Sequence, residues 1–336
     1  MHLQYSFIIP VYNRPDEIEE LLVSFLNLKT TLNFEIVIVE DGSNHSSETV
    51  VNTFKDRLNI AYFFKENSGP GDSRNFGMQQ ATGNYFIILD SDCVLPPGYL
   101  NEVDASLSSE FVDCFGGPDA AEASFTTLQK AINFSMTSFI TTGGIRGHKN
   151  QIGKFQPRSF NMGLSNAAFK VSKGFGTIHP GEDPDLSIRL WDLGFNTKLI
   201  PEAFVYHKRR ISWSKFYTQV NKFGKVRPIL NLWHPQTAKL TYWFPTLFIF
   251  GFLVAITAFI FHFEWFLMLY ILYFIIAFFL SLMQSKSIIV ALLSIPAICI
   301  QFGGYGYGFF KSFLKIHVFK KEAKQVFPEL FFKLFK

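Results

Sequence analysis

Three long uncharged segments in the last third of the chain limit the folds that are open to it. Residues 240–261, 265–283 and 288–310 contain no Asp, Glu, Lys or Arg. Each segment approaches or exceeds the roughly 20 apolar residues with which an α-helix crosses a bilayer. Buried helices of a soluble domain would carry a polar face, and these segments have none. The sequence therefore predicts a helical membrane region over residues 240–310, with two or three transmembrane or re-entrant segments.

The residues before this region and the residues after it differ in their charge. Residues 1–239 carry 23 Lys and Arg against 24 Asp and Glu, whereas residues 311–336 carry seven Lys and two Glu among many phenylalanines. This pattern indicates a basic, aromatic tail over 311–336 that lies on an anionic membrane surface. Residues 213–230 combine aromatic and basic side chains in the same way, which predicts an interfacial helix. Nucleic-acid binding is not expected beside three apolar segments.

The links between the apolar segments predict an orientation. The first link has no Lys or Arg, the second contains Lys286, and the tail is strongly basic. By the positive-inside rule, the first two segments form a hairpin and the tail lies in the cytosol. Three full crossings would place the tail outside, so a bend or re-entry of the third segment, near Pro296 and its glycines, stays open. Strand-like sequence begins at Phe7 without an apolar leader, so we expect a multi-pass inner or plasma membrane protein whose large domain is cytosolic.

The first hundred residues alternate β-rich runs with helical patterns. The predicted strands are 7–11, 35–40, 60–64 and 85–89, and the predicted helices between them are 16–27, 47–54 and 72–81. This alternation predicts an α/β domain with a mostly parallel sheet and flanking helices. Ligands bind such sheets at the carboxyl ends of the strands. Tyr12 to Arg14, Asp41 and the triplet Asp90-Ser91-Asp92 are expected at that edge.

Two carboxylates one residue apart follow the buried run 85–89. Asp90 and Asp92 suit a hard divalent cation that keeps water and binds a diphosphate. Taken alone, an Asp-x-Asp triplet is more often a solvated turn or a helix cap. His207, which follows strand-like residues 203–206, is a candidate third ligand or phosphate contact, against the structural role that a lone histidine usually has.

Three further groups have two interpretations each. Asp41 can bind a base imide or a ribose hydroxyl, or it can stabilise a turn before a helix. The segment 69–75 opens a helix with glycines that let an anion approach, and its Arg74 offers a guanidinium to phosphate. Glu182 and Asp183 begin another predicted helix, where a carboxylate either caps the helix or takes the proton of an acceptor hydroxyl.

Taken in order, five segments resemble the motifs of the family 2 glycosyltransferases. They are residues 7–14, 37–43, 69–77, 90–92 and 181–190. The resemblance covers about the first 230 residues. It implies that residues 1–230 form a GT-A domain, which is Rossmann-like, and that the enzyme transfers a sugar with inversion from a nucleotide-diphosphate sugar, using Mg²⁺ or Mn²⁺.

The resemblance also implies a role for individual residues by their position in the motifs. The implied nucleotide-sugar site consists of Pro10, Tyr12, Arg14, Asp41, Gly71, Arg74 and Asp90. Among these, Pro10, Tyr12 and Asp41 would hold the nucleoside and Arg74 the diphosphate region. Asp90 and Asp92 would hold the ribose and the metal. Asp183 matches the general base, with Glu182 beside it, and Asn161-Met162-Gly163 resembles the segment that shapes the sugar and acceptor pocket.

One departure from the family narrows the expected reaction. Processive synthases carry Gln-x-x-Arg-Trp before their membrane helices, and the nearest sequence here is 219–223, which ends in Lys-Phe. This favours the addition of one sugar per encounter. The membrane region favours a lipid-linked saccharide acceptor in cell-surface polysaccharide or glycolipid assembly. Direct transfer to polyprenyl phosphate, or a catalytically silent membrane scaffold that binds a nucleotide sugar, are the alternatives.

Overall fold

The structure of the protein is a computed structural model that describes residues 2–120, 125–143, 154–207 and 212–332, with the side chain of His207 outside the described part. The chain forms two compact units. The sheet unit comprises residues 1–122, 154–209 and 331–336, and the helical unit comprises 123–153 and 210–330. This division differs from the linear one that the sequence suggested. The predicted interfacial helix belongs to the helical unit, and the last residues return to the sheet unit.

The strands of the sheet unit form one large and one small sheet. They are β1 (Tyr5–Val11), β2 (Phe34–Asp41), β3 (Ile60–Lys65), β4 (Tyr85–Leu89), β5 (Cys93–Val94), β6 (Cys114–Gly116), β7 (Asp119–Ala120), β8 (Asn161–Ser165), β9 (Thr197–Leu199) and β10 (Val205–His207). Within the described residues, the large sheet has the order β3-β2-β1-β4-β8-β6-β9 and the small one the order β5-β10-β7.

The helices of the sheet unit cover both faces of the large sheet. They are α1 (Pro15–Leu26), α2 (Glu48–Asn52), α3 (Pro70–Gln80), α4 (Tyr99–Ser109), α7 (Asn166–Ser172) and α8 (Glu182–Asp192), while α5 (Thr127–Thr137) and α6 (Phe139–Thr142) lie in the helical unit. Two apolar clusters separate the helices from the sheet. One contains Phe7 and Phe25, and the other contains Ile8 and Met78.

The parallel half of the sheet was predicted correctly. β1 pairs in parallel with β2 and with β4, and β2 pairs in parallel with β3. β1, β2 and β4 each contain a continuous apolar run, at residues 7–11, 36–39 and 85–89, as expected for strands that are covered on both faces. Their carboxyl ends meet at one edge of the sheet, which brings the loops after β1, β2 and β4 together. The antiparallel strand β8, between β4 and β6, was not predicted as a strand.

The helical unit contains the three apolar segments. Its remaining helices are α9 (Trp213–Trp233), α10 (Phe244–Ile260), α11 (Trp265–Ser285), α12 (Ile288–Phe313) and the short α13 (Ala323–Val326). Among the described residues, 240–260, 265–285 and 288–318 are each long and apolar enough to cross a membrane. The third segment is one continuous helix, Ile288–Phe313, with Pro296 inside it; a bend or re-entry of this segment in a membrane stays a prediction.

Glycines of α9 and of the third segment, α12, allow these two helices to pack closely. Gly224 of α9 faces the backbone of Tyr305, and Gly308 of α12 faces the backbone of Asn221. The side-chain amide of Asn221 donates to the carbonyl of Gly304 at 3.0 Å. Small residues allow such close approach of helix backbones. The helix predicted at the interface, α9, therefore packs closely on α12 at Gly224, Gly304 and Gly308.

Candidate active site

The loops after β1 and β2 are joined into one rigid structure. The side-chain oxygen of Asn13, a residue with φ of 55°, accepts hydrogen bonds from the backbone N–H groups of Asn44 at 2.8 Å and His45 at 3.0 Å. Beneath this loop, the buried carboxylate of Glu40 accepts from the Ser47 N–H at 2.9 Å and from the Tyr62 hydroxyl at 3.1 Å. A buried carboxylate with several donors fixes the geometry of the loop around it.

Asp41 at the end of β2 organises the turn that precedes α3. Its carboxylate accepts hydrogen bonds from the N–H groups of Ser68 at 3.0 Å and Gly69 at 2.9 Å, and it pairs with Lys65 at 2.7 Å. Asp41 is almost fully buried. The structure thus favours a turn-stabilising role, although the turn is the one before α3 and not the one before Ser47. Its role in holding a nucleoside stays a prediction.

The other residues predicted for the nucleoside lie beside this edge. Pro10 is in β1 opposite Val39 of β2. Tyr12 follows the strand and is 51% exposed, so its ring is open to a ligand. Gly71 is buried in the first turn of α3, where Pro70 supplies the first helical residue.

Arg14 and Arg74 hold the two aspartates that follow β4. The Nη1 atom of Arg14 lies 2.9 Å from Oδ2 of Asp92 and 3.0 Å from Oε2 of Glu17. Nη2 of Arg74 lies 2.8 Å from Oδ1 of Asp90. The sequence predicted neither pair, because both arginines were expected to face the nucleotide sugar itself.

Arg74 also connects Asp90 to the start of α8. Its guanidinium is only 3% exposed, and its Nη1 atom lies 3.3 Å from Oε1 of Glu182. Burial alone would lower the pKa of Arg74, but the charges of Asp90, Glu182 and Asp183 raise it above its usual range. The arginine is therefore a fixed cation between the strand-end aspartates and the α8 carboxylates.

Glu182 is held as an ionised carboxylate. Besides Arg74, it contacts Nδ1 of His179 at 2.8 Å. Burial acts to raise the pKa of Glu182, but the charge and hydrogen bond of His179 and the charge of Arg74 outweigh it and lower that pKa to about 2. The cap position of α8 is Gly181, and the cap has no side-chain hydrogen bond. The electrostatic pairing, rather than helix capping, is what the Glu182 side chain contributes here.

Asp183 is in a different electrostatic environment from its neighbour. Burial and the negative charge of Glu182 raise the pKa of Asp183, against the lowering influence of Arg74, Arg158 and a hydrogen bond from Ser159. Its Oδ1 atom is buried and has no hydrogen-bond partner within the described ranges. A carboxylate with a raised pKa and an unsatisfied oxygen is a better proton acceptor than one that is saturated with cations.

Asp90 and Asp92 have the chemistry that a divalent cation needs. They offer hard carboxylate oxygens at the end of a strand, and one third of the Asp90 side chain is exposed. Among the residues with a described side chain, no group of three or more His, Cys, Asp or Glu could share an ion. By their chemistry the two carboxylates suit a cation whose other ligands would be water and a diphosphate, and this site stays a prediction.

His207 is the third residue predicted as a metal ligand. Its backbone lies in β10 opposite Cys93, one residue after Asp92. This register brings the backbone of His207 to the strand that follows the aspartates. Its side chain is outside the described part of the structure, so its role as a ligand stays a prediction.

The segment predicted to shape the sugar and acceptor pocket is the central strand β8. Asn161 is fully buried, accepts a hydrogen bond from the Tyr99 hydroxyl at 2.6 Å and donates one to the Ala203 carbonyl at 2.8 Å. Met162 is buried in the core, and Gly163 faces the ring of Phe115. The structure shows that the three residues build the sheet; a contact with the acceptor stays a prediction.

Three residues of the site were missed by sequence reasoning. His179, Arg158 and Ser159 all act on the Glu182–Asp183 pair. His179 stands three residues before Glu182, and this spacing is the one local signal that could have identified it. Arg158 and Ser159 lie too far away in sequence for any local pattern to reveal them.

Known proteins resemble the chain in its first two thirds. Residues 6–172 match the model of the family described as glycosyl transferase family 2. An uncharacterised glycosyltransferase of Rickettsia bellii is 40% identical over 87 residues, which is 26% of this chain and 12% of that protein. Chondroitin synthase of Escherichia coli is 25% identical over an alignment of 235 residues, gaps included, that covers 60% of this chain and 34% of the synthase.

A solved structure shares the fold. The mannosyltransferase of Pyrobaculum calidifontis, in complex with GDP-Man and Mn²⁺, superposes with a TM-score of 0.53 over 67% of this chain and 63% of its own, at 16% sequence identity. The predicted GT-A fold is therefore confirmed. With the motifs at the strand ends and the match over residues 6–172, the chain belongs to glycosyl transferase family 2.

Proposed function

We propose that this enzyme transfers one sugar from a nucleotide-diphosphate sugar to a lipid-linked saccharide, with inversion at the anomeric carbon. One observation carries the proposal. Arg74 binds Asp90 at 2.8 Å and Glu182 at 3.3 Å, so the strand-end aspartates and the α8 carboxylates belong to one charged network. This network connects the proposed donor-binding end with the proposed proton-accepting end, and an inverting transfer needs both ends in one site.

The donor end consists of the loops after β1, β2 and β4. Tyr12 offers an exposed ring to the base, and the bonds of Asn13 hold the surrounding loops in place before the donor arrives. Asp90 and Asp92 would hold Mg²⁺ or Mn²⁺ against the diphosphate. The bound ion would supply positive charge that stabilises the departing nucleoside diphosphate.

The acceptor end is the Asp183 carboxylate. Oδ1 of Asp183 accepts the proton of the acceptor hydroxyl while the hydroxyl oxygen attacks the anomeric carbon. The bond between that carbon and the diphosphate oxygen breaks on the opposite face, and the nucleoside diphosphate leaves with the bonding electrons. Because the pKa of Asp183 is raised, it accepts a proton more readily than Glu182 does. Glu182 stays ionised and keeps Arg74 in position.

The helical unit supports a membrane-bound acceptor. Three of its described helices are long and apolar enough to cross a membrane, and a soluble acceptor would need no such helices. We place the sheet unit on the cytosolic side because the links and the tail follow the positive-inside rule.

Donor identity is tested first. The full-length protein, purified in detergent, is screened by thermal shift with Mn²⁺ against UDP-glucose, UDP-N-acetylglucosamine, GDP-mannose and dTDP-rhamnose. A donor at 100 times its dissociation constant stabilises the protein by about 2.7 kcal/mol. Transfer of the selected sugar is then followed in vesicles with lipid-linked saccharides and with polyprenyl phosphate as acceptors. Donor binding without transfer to either acceptor would indicate a silent scaffold.

Asp183→Asn tests the base assignment. We expect sugar transfer to fall by about 10²- to 10⁴-fold, the usual contribution of a positioned base, while donor binding persists. Asp56→Asn, the same change at an exposed aspartate of the sheet unit, should transfer at the wild-type rate. Near wild-type turnover of folded Asp183→Asn would show that another group takes the proton.

A further inference from the structure

Phe331 and Phe332 belong to the sheet unit and contact the loop before α8. Phe331 pairs with Ile178 in an isolated antiparallel bridge, and the N–H of Phe332 donates to the carbonyl of Thr177 at 2.9 Å. We call residues Phe331–Phe332 the strap. The chain passes from the helical unit to the sheet unit between Leu330 and Phe331, so the strap follows directly after the helical unit.

The ring of Phe332 packs on two features of the site. On one side it covers Gly69, where any β-carbon would overlap the ring. Gly69 is the residue whose N–H is bound by Asp41, and its φ of 93° is one that favours glycine. On the other side, the ring lies 5.9 Å from the imidazole of His179, centroid to centroid. The ring thus contacts both the turn before α3 and the loop before α8.

These contacts connect the strap to the charged network. His179 binds Glu182 at 2.8 Å, Glu182 binds Arg74 at 3.3 Å, and Arg74 binds Asp90. The His179 side chain is 40% exposed, so part of the imidazole stays open to solvent. The Phe332 ring packs against the imidazole and restricts the positions from which Nδ1 can reach Glu182.

We propose that Phe332 is a positioning residue for sugar transfer: the strap holds His179, and through it Glu182, in the arrangement that catalysis uses. The proposal rests on the proposed function, because it assigns the strap to the Glu182–Asp183 pair. The alternative is that Phe332 is a mobile plug, whose ring has to move out of the site before substrate enters. The two arrangements predict opposite effects of removing the ring.

Phe332→Ala tests the proposal in the full-length enzyme, because it removes the ring and keeps the backbone bond to Thr177. We expect kcat for sugar transfer to fall on the order of ten- to a hundredfold, the effect of a displacement of about 1 Å at a reacting group. The dissociation constant for the donor found in the screen should change less than twofold. Phe332→Tyr keeps the ring and should restore kcat. Phe319→Ala, an exposed phenylalanine of the same tail, is the matched control.

Hydrogen exchange supplies a measurement that does not depend on activity. Amides of residues 176–183 should exchange faster in Phe332→Ala than in the wild type or in Phe319→Ala. A wild-type kcat, a raised kcat or unchanged exchange in that loop would overturn the positioning role, and a raised kcat would establish a plug. If the wild type transfers no sugar, the proposed function fails, while the exchange measurement still decides whether the strap holds the loop.

Discussion

Replacement of Arg74 by methionine would remove the one buried cation that connects Asp90 and Glu182. Methionine keeps most of the volume of the side chain and none of its charge. The loss leaves Glu182, whose side chain is 6% exposed, with the imidazole of His179 as its remaining ion-pair partner among the described residues. Breaking a buried ion pair by removing one partner costs about 3–5 kcal/mol, because the other charge stays buried.

The pKa of Glu182 gives a second measure of the same interaction. Its ordinary value of 4.5 falls to about 2 in the folded protein, and at about 1.4 kcal/mol per pKa unit this corresponds to about 3 kcal/mol. His179 and Arg74 share that stabilisation. Arg74 accounts for only part of it, so the cost of leaving a buried charge unpaired sets the expected size. Arg74→Met should destabilise the protein by about 3 kcal/mol, which lowers the melting temperature of a domain of this size by about 6–12 °C.

The effect should depend on pH in a defined direction. Because the folded pKa of Glu182 is depressed, the stabilisation is complete above its unfolded pKa of 4.5 and is lost as pH falls toward about 2. The difference between wild type and Arg74→Met should accordingly be largest near pH 7 and shrink as pH falls through 4.5.

Thermal unfolding of the full-length protein in detergent, at pH 7 and pH 3, measures both effects. Arg57→Met, at an exposed arginine of the same unit, controls for the loss of positive charge. Arg74→Met with Glu182→Gln should be less destabilised than the sum of the single changes, since the uncompensated carboxylate is gone. A melting temperature within 2 °C of wild type at pH 7, or an equal loss at both pH values, would refute the reasoning.

Two further changes test the aspartates and the helix packing. Asp92→Asn should abolish the additional thermal shift that Mn²⁺ gives with the donor, because one hard oxygen ligand is weakened; an unchanged shift would place the ion elsewhere. Gly224→Ala should destabilise the helical unit by about 1–3 kcal/mol through overpacking against Tyr305. Gly303→Ala, where a β-carbon meets no atom, should leave the melting temperature unchanged or raise it, and equal effects would contradict the packing argument.

Local patterns in the sequence were enough to predict the parallel half of the sheet. β1 and β4 are continuous apolar runs, and such runs bounded by polar loops need no long-range information to be recognised. The strand β8 could not be found in this way. It begins with Asn161 and contains Gly163, both poor strand formers, and it is held by pairing with β4 and β6 far away in sequence.

In the candidate active site, too, local sequence patterns predicted single residues but not their long-range contacts. The motifs located Arg74, Asp90 and Glu182 individually, but Arg74 and Glu182 are 108 positions apart, and no local pattern indicates that they form an ion pair. Asp41 was placed at the correct strand end, yet its partners are the N–H groups of Ser68 and Gly69. Long-range partners decide whether a polar side chain faces a ligand or the protein itself.

The strap has a consequence for the order in which the protein is made. Phe331 and Phe332 are synthesised after the three apolar segments that end at residue 318. During translation, the loop before α8 is thus without its aromatic partner while those segments leave the ribosome. The contacts that Phe331 and Phe332 make in the sheet unit can therefore form only after the three segments that are long and apolar enough to cross a membrane have been synthesised.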